Sequence, residues 1–71
     1  MQTKRIYRAY VHNQDGAGQS AGSDTNLKNL RYFVRQHFGR GWKVIIDMIE
    51  IDGDGHSTFA PVTVAEYTLR N

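Results

Sequence analysis

HNQDGAGQSAGSDTNLKN, residues 12–29, lies between an aromatic, β-branched run and an amphipathic one, and its reading decides the fold. Up to Thr25 it is built from Gly, Ser, Asn, Asp, Gln and Ala, the composition of a connection. Gly16, Gly18 and Gly22 stand in a G-x-G-x-x-x-G spacing. A dinucleotide fingerprint needs G-x-G-x-x-G at a strand-to-helix turn, so that the pyrophosphate meets the helix N-terminus. The spacing here differs, and no G-K-[ST] follows to make a Walker loop. The stretch is therefore read as a flexible Gly/Ser-rich loop over about 13–24, crossing from a strand to a helix.

Outward from it, KRIYRAYVH (Lys4–His12) predicts a strand with Tyr7, Ala9 and Val11 on one face and Ile6, Arg8 and Tyr10 on the other. TNLKNLRYFVRQHF (Thr25–Phe38) predicts a helix. Leu27, Leu30, Val34 and Phe38 form its apolar stripe, with Phe33 and His37 at the margin. Ser23, Asp24 or Thr25 is expected at the N-cap and Gly39 at a left-handed C-cap position. WKVIIDMIEI (Trp42–Ile51) predicts the strongest strand, apolar on both faces, with Trp42 as a core or edge anchor. DGDGHS is turn chemistry, and FAPVTVAEYTLR (Phe59–Arg70) predicts a last strand that Pro61 confines to an edge or entry position.

The expected fold is α+β in β-α-β-β order: a three-stranded sheet covered on one face by a single helix, one domain over residues 1–71. A strand, a helix and a second strand in one sheet make those strands parallel with a right-handed crossover. The third strand returns antiparallel. Strand orders 1-2-3 and 1-3-2 both satisfy the pattern. One helix leaves the second sheet face open, so a homodimer is expected.

Net charge is +2, but residues 1–43 sum to +6 and residues 44–71 to −4. The parallel topology would gather Asp15, Asp24, Asp52 and Asp54 at one pole and Lys4, Arg5, Arg40, Lys43 and Arg70 at the other. Lys28, Arg31 and Arg35, at i, i+3 and i+7, add a basic stripe beside the apolar helix face, with Tyr32 next to it. Such a stripe can contact phosphates and stack on a base. A solvated helix face has the same pattern.

Other chemistries are thinly supported. Read as a calcium loop from Asp52, DGDGHST has Ser57 where Gly is needed and Thr63 where Glu is needed. Asp-Gly between apolar strands is instead a hairpin signal. The topology sets His12 and His56 at one end and His37 at the other, with His37 on the core margin. No metal site or cofactor is expected. No cysteine is present, which excludes disulfides and thiolate metal sites. No catalytic set is legible, so no enzyme activity is expected. The N-terminal MQTKRIYRAY lacks an apolar h-region and no run approaches membrane-span length, so a cytoplasmic setting without membrane contact is expected.

The functional expectation is a small non-enzymatic binding module. It would engage nucleic acid or an acidic protein surface through Lys4, Arg5, Lys28, Arg31, Tyr32, Arg35, Arg40, Lys43 and Arg70. The alternative is a protein–protein regulator or inhibitor of the compact kind carried by phages and plasmids. It would act through the open sheet face or an edge strand.

Overall fold

The computed structural model describes residues 3–57 and 60–70. Five elements follow in order: β1 (Lys4–His12), β2 (Gly18–Asp24), α1 (Leu27–His37), β3 (Lys43–Ile51) and β4 (Val62–Thr68). The strands form one sheet of order β2-β1-β3-β4, antiparallel at every seam. The α+β class and the single helix stand as expected. Two corrections concern the stretch that opened the sequence reading. It is not a loop: Gly18–Asp24 is a fourth strand paired to β1. Because β2 reverses the chain once more before the helix, β1 and β3 run antiparallel rather than parallel. The three expected strands keep the order 1-2-3.

A tight turn makes β2 possible. Asn13 Oδ1 accepts from the backbone N–H groups of Asp15 and Ala17, at 3.0 and 3.1 Å, and Gly16 takes φ +86°. The Asn13 N–H donates to the Ala17 carbonyl and the Gly16 N–H to that of Asn13. This side-chain mimicry of a turn lets Asn and Asp nucleate hairpins. The second hairpin repeats it atom for atom. Asp52 Oδ1 accepts from the Asp54 and His56 N–H groups at 2.9 and 3.1 Å, and Gly55 takes φ +83°.

Alternation along the strands settles the two faces. Ala9 lies opposite Ile46 and Val11 opposite Val44, all fully buried beneath α1 together with Leu30, Val34, Ala21 and Leu69. Tyr7, Leu27, Phe38, Trp42, Ala65 and Tyr67 pack around them. Ile6, Arg8, Tyr10, Ile45, Asp47 and Ile49 face the other way, where no described element covers them. The helix is not centred. It lies over β1 and β2 and stands away from β3 and β4.

The helix ends differ from expectation. Asn26 is the N-cap, its Oδ1 accepting from the Asn29 N–H at 3.1 Å, while Asp24 Oδ1 accepts from the Asn26 N–H. Asp24 is held in β2 and so is not the cap. The helix stops at His37, and the C-cap Phe38 is extended. Gly39 is not left-handed; Gly41 is, with φ +94°, where its N–H donates to the Leu69 carbonyl. His37 is exposed and packs tilted against Phe33, 4.1 Å between ring centroids, so it is not a core histidine. Trp42 is half-buried against Phe38, at 5.3 Å between ring centroids. Phe59, the expected start of the last strand, lies outside the described residues, and β4 begins at Val62.

Candidate functional site

The two expected charge poles do not form. With β1 and β3 antiparallel, Lys4 lies opposite Ile51 and Arg5 opposite Glu50, at the sheet end that carries the Asp52–His56 turn. Arg5 Nε sits 3.6 Å from Glu50. Arg40, Lys43 and Arg70 lie at the opposite end, beside Trp42 and the Asn13–Ala17 turn. Asp15 lies among the residues around Arg40. Lys43 Nζ is 2.7 Å from Glu66, whose carboxyl its ammonium holds below the ordinary carboxylate range by hydrogen bond and charge. Each end is therefore of mixed sign.

The same reversal separates His12 from His56. His12 pairs with Lys43, whereas His56 closes the turn beyond Ile51, which pairs with Lys4. Asp52, Asp54 and His56 each bring one ligand atom within 4.8 Å of the others. Asp52 Oδ1 is engaged by the Asp54 and His56 N–H groups, so this closeness is what the turn requires. Nothing further among the described residues marks it as a cation site.

The helix stripe fares otherwise. Since α1 sits toward β2, a gap opens between the helix and β4. It is a groove of about 420 Å³, lined by Lys28, Arg31, Tyr32 and Arg35 of the helix and by Tyr67, Thr68, Leu69 and Arg70. Helical spacing puts Lys28, Arg31 and Arg35 on one side of α1. Strand alternation turns Tyr67 to the helix side of the sheet, opposite Val44. Arg70 is carried there because the Leu69 N–H donates to the Trp42 carbonyl at 2.9 Å, which fixes the chain past the strand end.

Its electrostatics are one-sided. Among the described residues, no Asp or Glu lines the groove, and Lys28, Arg31, Arg35 and Arg70 take part in no ion pair. The Arg31 guanidinium lies over the Tyr67 ring, 4.9 Å from its centroid. A guanidinium so placed is held by the ring's quadrupole, and its charge remains available. Tyr32 stands 66% exposed at the lip. Four of the nine predicted contact residues, Lys4, Arg5, Arg40 and Lys43, thus lie off the groove, while Lys28, Arg31, Tyr32, Arg35 and Arg70 converge on it. Tyr67 was not among the predicted residues. Its alternation with Ala65 on the apolar side of β4 was the available signal.

No family model, no curated protein and no solved structure matches this chain. No helix among the described residues is long and apolar enough to cross a membrane.

Proposed function

We propose that the protein is a non-enzymatic binding module that engages an anionic partner through the groove between α1 and β4. One observation carries this reading: three cations of α1 and a fourth from the chain just past β4 share a groove whose described lining contains no carboxylate. Like charges brought together without neutralisation oppose folding, and a bound anion offsets that cost. Nucleic acid and acidic protein surfaces both meet the requirement. The test is the low-salt binding of the intact chain to polyanions, repeated with R31E/R35E and with R5E. The double charge reversal should abolish binding. R5E, at the far end of the sheet beside Glu50, should leave it largely intact. Equal losses from both would refute the groove as the site.

A second reading rests on the uncovered face. Ile45 and Ile49 are only half-buried there, and the edge strand β4 adjoins it with Val64 42% exposed. A protein partner or a second copy of this chain would cover them, by face packing or by strand addition. Sedimentation showing only monomer at high protein concentration would remove the second copy.

A further inference from the structure

The groove is more than a cluster of charge, and its remaining features select among anions. Lys28 to Arg35 spans about 10 Å of helix axis at 1.5 Å per residue. Successive phosphates of a stacked strand step about 3.4 Å along the axis, so the stripe spans about three such steps. The opposite wall adds an aromatic ring and an apolar side chain to Thr68 and Arg70: Tyr67 lies under Arg31, and Leu69 is buried. Tyr32 projects from the helix beside the Lys28, Arg31 and Arg35 stripe with most of its surface in water. A flat ring at the lip and a guanidinium–tyrosine stack inside are platforms for unpaired bases. A duplex keeps its base faces stacked inside, where neither platform can reach them. An acidic peptide would use the cations and leave the rings idle.

We propose that the groove takes single-stranded nucleic acid, its phosphates on Lys28, Arg31, Arg35 and Arg70 and a base stacked on Tyr32. This rests on the anion-binding reading above and narrows it. Binding is measured by anisotropy on the intact chain with short oligo(dT). Matched duplex, inorganic polyphosphate and polyglutamate serve as competitors across a salt series.

Oligo(dT) should bind tightest. Its log affinity should fall with log salt at about −0.7 per neutralised phosphate, and R35Q should flatten that slope by about 0.7. Y32A should lower oligo(dT) affinity by about 5- to 150-fold, the effect of losing one stacked base. It should leave polyphosphate binding and thermal stability unchanged, and Y32F should restore oligo(dT) binding. If duplex, polyphosphate or polyglutamate competes as well as oligo(dT), or Y32A has no effect, the single-strand assignment is overturned and the anion reading stands. If none of the four binds even at low salt, both fall.

Discussion

β2 and β4 are the two edges of one sheet, and they are built from different materials. β2 is GQSAGSD; β4 is VTVAEYT. Each carries a bulge, at Ala21 in β2 and at Val64 in β4. Hydrophobicity alone would seat the helix over the Val-rich edge. Instead α1 lies toward β2: Ala21 is 6% exposed, whereas Val62, opposite Met48 on the helix side of the sheet, is 48% exposed. Size explains the choice. At Gly22 the Phe33 ring comes within 3.6 Å of where a Cβ would stand, and the backbone there has φ +121°. Small residues let a helix approach the sheet closely, and dispersion rewards contact at short range. The larger side chains of β4 face a helix that stands off, and the space left over is the cationic groove. The asymmetry of the edges thus positions the candidate site.

The largest expected effect is on the helix seat itself. Leu30 is 2% exposed, and L30A should cost about 2–5 kcal/mol. That equals most of the net stability of about 3–5 kcal/mol a core of this size supplies. Circular dichroism at room temperature should show a largely unfolded variant.

The edge comparison is sharpest at Gly22 against Val64. G22A forces a side chain into left-handed backbone at a cost of about 1–3 kcal/mol. V64T, exposed on the far edge, should stay within about 0.5 kcal/mol. Equal denaturant midpoints for the two variants would show that the edges do not differ as described.

N13A and D52A come next. Each removes an oxygen that accepts two backbone N–H groups, for about 1 kcal/mol. Hydrogen exchange should separate them. β4 amides should open more in D52A than β2 amides in N13A, since β2 keeps Ala21 buried under α1 while no residue of β4 is buried.

The smallest effect is electrostatic. Lys43 depresses the Glu66 pKa, so the stabilisation is present above the ordinary carboxylate value and is lost as pH falls through the lowered one. The pair is exposed, so E66Q should shift the acid midpoint only slightly, and added salt should erase the difference.

These edges also show what the residues disclosed and what they withheld. The first strand's bounds, Lys4–His12, and both of its faces follow from alternation in the sequence. So does the helix, within two residues at its start. β2 escaped because six of its seven residues are Gly, Ser, Gln or Ala, or are exposed, and no apolar period marks it. The signal lay in the turn instead. NQDGA and DGDGH share an Asn or Asp three residues ahead of Gly, and that chemistry was read as a hairpin only at the second site. Missing one reversal inverted β3 relative to β1, which is why the charge poles failed while the helix stripe, a local pattern, survived. The groove's far wall depends on where the helix sits, and no local pattern states that.

The β1–β3 seam is the one strand pairing in the sheet not closed by a hairpin. It joins two half-chains whose net charges are opposite, +6 for residues 1–43 and −4 for residues 44–71. Arg5 meets Glu50 across it, and Arg8 lies opposite Asp47. The uneven layout of charge along the sequence therefore acts within the molecule. It draws the halves together before any side chain touches, over a range of about 8 Å at physiological salt. That pull favours the pairing with the longest loop to close, the step that chain entropy makes slowest.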